Sequence, residues 1–457
     1  KRVLRDCTKV EQFTLEFADL KLDYCYKIAS EYHDCPELRV QWLMEMAKLH
    51  EKIENWEEAG MCRLQVASLV GQHFVLYPTG NNVYSSIALP NSTYARVAPM
   101  LAAFEAPLGD TTQISGGGFS EDNYLTLLLD ACSNMTKADQ FETAADILTM
   151  YFQFCMDTRR YVNVSNNAPL LQELSSKAEK AIRAQSRIAS NFYRVGFYGK
   201  EFKEDHGQEF IYKVPPSQRL ADFTESLVKR YAPQFVVEVL NNKPISEQTI
   251  DPSKHYVQIV NLEPYFETDV HKDLTWLDRT RGLKRFYYET AYNPDGGRPS
   301  EDVSKMYKRK ELITAKIPFP NFFKRVAVEK KEGLVLQPID CAFDLMVMLT
   351  SKLKNALNCV PVSSKSLQII LQGAVLAQVN AGPAAIIATF LGNAEDYPQE
   401  SVEKLKESVR AFIRACNFGL ILNQKLIQDQ PDTAALQEAM MSSFQALQLD
   451  ATKYIEM

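Results

Sequence analysis

This 457-residue chain has no apolar run approaching the ~18–20 residues that a membrane-spanning helix needs, and no signal-peptide pattern at its start. It also lacks the short motifs of covalent and nucleotide chemistry. There is no GxxxxGKS or GxxxxGKT, no GxGxxG opening a helix after a strand, no HExxH and no GxSxG. The six histidines, His33, His50, His73, His206, His255 and His271, sit at no metal-ligand spacing, and each reads as a surface or packing residue. Nine cysteines (Cys7, Cys25, Cys35, Cys62, Cys132, Cys155, Cys341, Cys359 and Cys416) are odd in number and form no CxxC pair. Several lie in helical apolar patterns, where a thiol packs as a small hydrophobe, so free thiols in a cytosolic setting are expected. These absences leave no recognisable acid, base, nucleophile or metal centre. The chain is expected to make and break no covalent bond and to need no cofactor.

What is present is the composition of a folded soluble protein, 46% hydrophobic and 24% charged. The length exceeds one ordinary core and predicts two to four domains. The opening Lys1-Arg2-Val3, with no Met, points to a piece of a longer parent. A net charge of −6 argues against a general nucleic-acid binder. Residues 194–331 hold 24 Lys and Arg against 20 Asp and Glu, a balance of +4 that leaves −10 for the rest. A mildly basic middle in an acidic chain suits a protein or headgroup partner, or a solvated surface.

Three regions follow from the patterning. Residues 1–190 read as helices. PELRVQWLMEMAKLHEKIENWEEAGMCRLQVASLV places Leu38, Trp42, Met46 and Leu49, then Ala59, Cys62, Val66 and Leu69, at helical spacing, with Glu54-Asn55-Trp56 as the turn. Small Ala59 and Gly60 allow two helices a close approach, and Glu57-Glu58 read as one exposed helix turn. A similar pair recurs around Phe141, Ala144, Ala145 and Leu148, which gives the region a loose tetratricopeptide-like character. Between the pairs, Tyr77–Ser120 is rich in Pro, Gly, Ser and Asn and reads as a long loop.

Residues 191–333 carry short aromatic and β-branched segments, NFYRVGFYG, QEFIYKV, HYVQIVNLEPYF, KRFYYETAY, KELITAKIPFP and KRVAVEK, with turn signals between them and one helical stretch, SQRLADFTESLVKRYA. They predict a mostly antiparallel β lobe. Residues 334–457 return to amphipathic helical segments joined by short loops, a helical bundle. The fold class is therefore α+β, mainly helical, in three lobes. One bundle segment is peculiar. SSKSLQIILQGAVLAQV and PAAIIATFLGN look like one apolar helix broken by Val379-Asn380-Ala381-Gly382-Pro383. Taken alone, a Gly-Pro break is a structural kink. The run Lys308-Arg309-Lys310 could bind phosphate, although the solvated start of a strand is the plainer reading.

The order PELRxxWLxxMAxxH, FYRVGFYG, EFIYK, YVQI with EPYF, KRKELIT with FPxFxKRVxV, PID, and LQGAV with QVNAGP resembles the Dock family of Rho-GTPase exchange factors, in their C-terminal catalytic DOCKER domain. The resemblance runs through nearly the whole chain, and Tyr77–Ser120 departs from it. It implies a helical dimerisation lobe (1–190), a β lobe of two antiparallel sheets (191–333) and a four-helix bundle (334–457). A Rho-family small GTPase, Rac- or Cdc42-like, would dock in the groove between the last two. Val379 matches the family's nucleotide sensor, a valine held out by the helix break, and Asn380, Gly382 and Pro383 complete its loop. Gly382 is expected to adopt a backbone conformation closed to other residues, and Pro383 to open the resumed helix.

Lys308, Arg309, Phe319, Pro320, Lys324 and Arg325 are candidate GTPase contacts or, equally, strand surface and packing. Leu371 and Gln372 are candidate groove residues, with bundle core as the alternative for Leu371. The implied partners are the GTPase and a second copy of this chain, with no nucleic acid, in the cytoplasm, membrane contact falling to missing parts of the parent. A non-catalytic dimeric scaffold that binds a GTPase without turning it over is the alternative function.

Overall fold

The structure is a computed structural model that describes residues 2–76, 97, 117–185, 187–245, 250–266, 275–295, 297–298, 300, 302–376, 382–428 and 434–455. It divides into two compact units. One comprises Lys1–Lys180, Arg187–Tyr288 and Leu312–Lys331; the other comprises Ala181–Ser186, Glu289–Glu311 and Glu332–Met457. Elements are numbered over the described residues.

The first unit begins with α1 (Arg2–Gln12), α2 (Ala18–Glu31), α3 (Pro36–Lys52), α4 (Trp56–Leu76), α5 (Glu121–Lys137), α6 (Phe141–Asp157) and α7 (Tyr161–Ala184), the last running past Lys180. Pro36 opens α3, where its missing N–H costs nothing, and the Ser120 hydroxyl caps α5 by accepting from the Asn123 amide at 3.2 Å. The turns α3/α4, α5/α6 and α6/α7 repeat one geometry. Glu54, Asp139 and Arg159 stand at φ near +59°, +56° and +59°. In each turn the next amide donates back five residues: Asn55 to the His50 carbonyl, Gln140 to Met135 and Arg160 to Cys155. This is the left-handed helix stop usually built on glycine, carried here by three other residues. The two helix pairs read from sequence, α3 with α4 and α5 with α6, are present.

The core stripe of α3 differs by one position from the expected one. Met46 and Leu49 are buried, but Leu38 is 36% exposed, Trp42 is half-buried, and Leu43 and Ala47 fill the interior. The expected close approach at Gly60 is real. A Cβ added there would lie 2.7 Å from the Met135 Cε and 3.5 Å from the Ala131 carbonyl of α5. Glu57 and Glu58 correct their reading as an exposed turn, because both are buried and both pair with Lys213. Of Tyr77–Ser120, residues 77–96 and 98–116 lie outside the described residues; Val97 is buried in the helical core.

The strands are β1 (Asn191–Tyr198), β2 (Glu209–Val214), β3 (Val237–Leu240), β4 (His255–Pro264), β5 (Leu283–Tyr292), β6 (Tyr307–Phe319) and β7 (Arg325–Leu336), with α8 (Leu220–Tyr231) and α9 (Trp276–Thr280) between them. All six segments read from sequence are present. The missed one is β3, four residues pairing parallel to β4 from Val237 opposite His255. The order is β1-β2-β7-β6-β5-β4-β3 with a further β1–β4 pairing. Two sheets were implied; β4 joins them into one order. It lies antiparallel to β1 through Tyr256–Leu262, and Glu263 and Pro264 pair with β5. β1 is buried on both faces. Tyr193, Val195 and Phe197 pack with Phe223, Leu227 and Tyr231 of α8, while Phe192 meets Phe286 and Phe319.

The second unit holds the distal ends of β5, β6 and β7 and the bundle. Its helices are α10 (Pro338–Asn358), α11 (Ser364–Val375), α12 (Pro383–Ile386, continuing as a π-turn over Ile387–Leu391), α13 (Gln399–Leu426) and α14 (Ala434–Thr452). Val402, Leu405, Val409, Phe412, Ile413, Cys416 and Leu420 recur at helical spacing along α13 and are buried. That stripe makes α13 the central helix, packed on α10, α11 and α14.

Candidate functional site: the interrupted helix

The break read from sequence is present. α11 stops at Val375, and Leu376 turns extended at φ −75°, ψ 134°. Pro383 occupies the first turn of α12 as expected, and the Gly382 carbonyl accepts the Ile386 amide at 3.1 Å. Gly382 corrects its own reading. It sits at φ −90°, ψ 176°, an extended conformation open to any residue. Ala377, Gln378, Val379, Asn380 and Ala381 lie outside the described residues, and Val379 and Asn380 of the sensor reading are among them.

The break is framed by apolar packing. Leu371, Ala374 and Val375 before it, and Ile386, Ile387, Phe390 and Leu391 after it, belong to the bundle core. Leu371 is fully buried, and its Cδ2 lies 3.1 Å from where a Cβ would stand on Gly419. It is bundle core, and a partner could reach it only through a rearranged interior. Its neighbour Gln372 is exposed.

Within the same unit, the strand ends bring charge to α10. The Lys308 ammonium donates to Glu289 at 2.8 Å, and the Lys310 ammonium lies 3.3 Å from Glu289 and 3.6 Å from Asp344 of α10. Burial alone would raise the Glu289 carboxyl, but the bonds and charges of Lys308 and Lys310 outweigh it and hold it low. Burial prevails at Asp344, whose carboxyl is raised despite Lys310. The Arg309 guanidinium lies 4.7 Å from the centre of the Tyr292 ring. The basic run does start a strand as read, but only 14% of the Lys310 side chain is exposed. It is therefore a paired cluster.

The first unit holds the remaining candidates, and there packing prevails. Phe319, Pro320 and Arg325 are buried, which fits the packing alternative of their reading rather than partner contact. Lys324 is half-buried, and burial lowers its ammonium. Arg325 is the hub of an ion network that sequence reading missed. It donates to both Asp205 oxygens at 2.8 and 3.0 Å, to Asp23 at 2.8 Å and to the Tyr212 hydroxyl at 3.4 Å. Tyr212 donates to Asp19 at 2.6 Å, and Arg230 donates to Asp19 at 2.8 Å.

Burial would raise Asp19, but Arg230, Arg325 and the Tyr212 bond hold it well below the usual carboxylate range. Burial wins at Asp23, pushing it up to about 6 with Arg325 opposing. Lys213 on β2 closes a second cluster with Glu57 and Glu58 (2.6 Å to Glu58); burial would lower its ammonium, and the two carboxylates raise it instead. His50 is fully buried and donates from Nε2 to the Phe322 carbonyl at 2.9 Å. Burial pushes its pKa down to about 3. These groups come from helices and strands far apart in sequence, so no local pattern announces them.

The comparisons with known proteins agree with the order of parts. Three family models match in sequence order: DHR-2, Lobe A over residues 19–180; DHR-2, Lobe B over 242–317; and DHR-2, Lobe C over 352–454. The chain is 30% identical over 458 residues to dedicator of cytokinesis protein 7 of Homo sapiens, covering 97% of this chain and 21% of that protein. It is 30% identical over 434 residues to protein 6 of Mus musculus (93% and 21%), and 28% identical over 463 residues to protein 8 of Homo sapiens (99% and 22%). The chain thus spans about a fifth of the length of these relatives. With all three lobes in order on a mainly helical frame with one sheet, the chain belongs to the Dock family, as its DHR-2 or DOCKER domain.

Proposed function

We propose that the chain is a guanine-nucleotide exchange factor for a Rho-family small GTPase, Rac- or Cdc42-like, working without covalent chemistry through the helix break after Leu376. The observation that carries the reading is the break itself. An apolar helical pattern stops at Val375 and resumes at Pro383. A GTPase holds its nucleotide through phosphates bridged by Mg²⁺, and nanomolar binding is worth roughly 12 kcal/mol. An exchange factor must bind the empty GTPase better than the loaded one.

Val379, presented by the break with Asn380, Gly382 and Pro383, would place an apolar, stiff side chain where the cation coordinates and offer it no ligand. With the cation gone the phosphates are poorly neutralised and GDP leaves. GTP arriving with its own Mg²⁺ displaces the valine. Exposed Gln372 and half-buried Lys308 and Arg309 are kept as the candidate GTPase contacts. Phe319, Pro320, Leu371 and Arg325 are taken as supporting packing, and half-buried Lys324 stands between the two groups.

Two further parts belong to the reading. The helical lobe would dimerise, with exposed Met156, Tyr161 and Val162 at the end of α6 and start of α7 as its support. Light scattering that finds a concentration-independent monomer removes that part. The protein would work in the cytoplasm and reach membranes through other parts of its parent; among the described residues no helix is long and apolar enough to cross a membrane.

The test is release of a fluorescent GDP analogue from a panel of Rac-like and Cdc42-like GTPases, with wild type beside Val379→Ala. Fast release on one GTPase, lost in the variant while docking persists, supports the reading. Docking with no release on any GTPase replaces exchange with a scaffold role.

A further inference from the structure

The resumed helix packs on α13 and α14, and a segment from outside the bundle helices adds to that support. α12 is four residues followed by a five-residue π-turn, too short to hold its own position. In the same unit, the segment between β5 and β6 folds back onto it. Asp302 caps a short turn there by accepting the Ser304 amide at 3.0 Å. The turn Val303–Lys305 packs on α10 and on the π-turn Ile387–Leu391. Val303 is 7% exposed and lies in one buried cluster with Ile339 and Ala342 of α10 and Ile387 and Phe390 beyond the break. Seven residues later, Lys310 reaches Asp344 of α10 and Glu289 of β5, and Glu289 also holds Lys308. An apolar plug and an ionic pin therefore fix one segment against both helices.

We propose that residues 302–310 are a brace for the interrupted helix, with Val303 as plug and Lys310 with Asp344 as pin, and that these are positioning residues for the break. The part of the claim about position stands on the packing alone. The part about catalysis rests on the exchange reading: a loosened α12 presents the loop before it less often in its working place, so nucleotide release slows while docking remains.

The experiment compares wild type, Val303→Ala, Asp344→Asn and the conservative pair Val303→Ile and Lys310→Arg by two readouts. Hydrogen exchange should show amides of residues 386–391 exchanging at least tenfold faster in Val303→Ala and severalfold faster in Asp344→Asn, with residues 405–420 unchanged. The unchanged central helix excludes global unfolding. GDP release should show kcat reduced fivefold or more in Val303→Ala with KM for the GTPase within twofold, and near wild-type values in the conservative pair. Unchanged protection of 386–391 in both Val303→Ala and Asp344→Asn overturns the brace. Altered protection with kcat and KM both unchanged overturns its role in exchange. A wild type that releases no GDP removes the exchange reading, and the protection data then decide the brace by themselves.

Discussion

Arg325 in the first unit meets two carboxylates and a phenol, and Lys213 nearby meets two more carboxylates, all largely out of solvent. The bundle of the second unit buries instead an apolar interior with one amide pair, in which the Asn423 amide donates to Gln437 at 2.7 Å. The first unit ties α2, the strands and α8 together with directional bonds between elements distant in sequence. The bundle is held by shape and apolar area, and among its described residues the apolar helical pattern breaks after Val375. The difference teaches where to look for function. In this chain dense polar chemistry marks architecture, and the proposed working part sits where the apolar pattern is interrupted.

The largest effect should come from taking the hub out of the polar region. Arg325→Met leaves buried Asp205 and half-buried Asp23 without their cation and should cost about 3 kcal/mol in urea unfolding. A loss below about 1 kcal/mol would show that the network is not a structural hub. The matching change in the apolar region is Leu371→Ala, expected to cost about 2–4 kcal/mol through the cavity it leaves, with GTPase docking retained. If docking falls while stability holds, Leu371 is a contact after all and the contrast fails.

Acidification separates two groups within the first unit. The folded pKa of Asp23, about 6, lies above its ordinary 3.8, so the folded state binds the proton more tightly. Through this group stability is highest below the ordinary value and is lost as pH rises through about 6. Lowering the pH from about 7.5 to about 5.5 should therefore add about 1 kcal/mol. His50 acts oppositely, because its folded pKa of about 3 lies below the ordinary 6.5. Its contribution is complete above about 6.5, and roughly 1.4 kcal/mol of it is gone by about pH 5.5. Urea unfolding at both pH values should show a steeper acid loss in Asp23→Asn and a shallower one in His50→Gln than in wild type. The smallest effect belongs to exposed Gln372. Its change to Ala should move stability by less than about 0.5 kcal/mol, so any slower release would report on the GTPase contact alone.

Much of this fold was legible because its signals are local. Six strands announced themselves by β-branched and aromatic runs, and the helix break by Gly382-Pro383. Strand β3 was missed because four residues, Val237–Leu240, are too few for alternation to register. The repeated turns were only faintly visible because Glu54, Asp139 and Arg159 hold a conformation that a reader looks for at glycine. Glu57-Glu58 looked like a solvated pair because their cation, Lys213, lies more than 150 residues away. Gly382 was assigned an unusual backbone that it does not use, so its presence reports on something other than φ. At the candidate site, charge and aromaticity pointed equally to contacts and to packing, and only burial separated Arg325 and Phe319 from Lys308 and Arg309.

If the break acts by expelling Mg²⁺, chelating the ion should abolish its advantage. GDP release from the responsive GTPase would be followed with wild type and Val379→Ala, first in excess Mg²⁺ and then with the ion removed by EDTA. The expected result is a large defect in the variant with Mg²⁺ present and nearly equal rates once it is removed, since no ion remains to be displaced. A defect that persists undiminished without Mg²⁺ would contradict it.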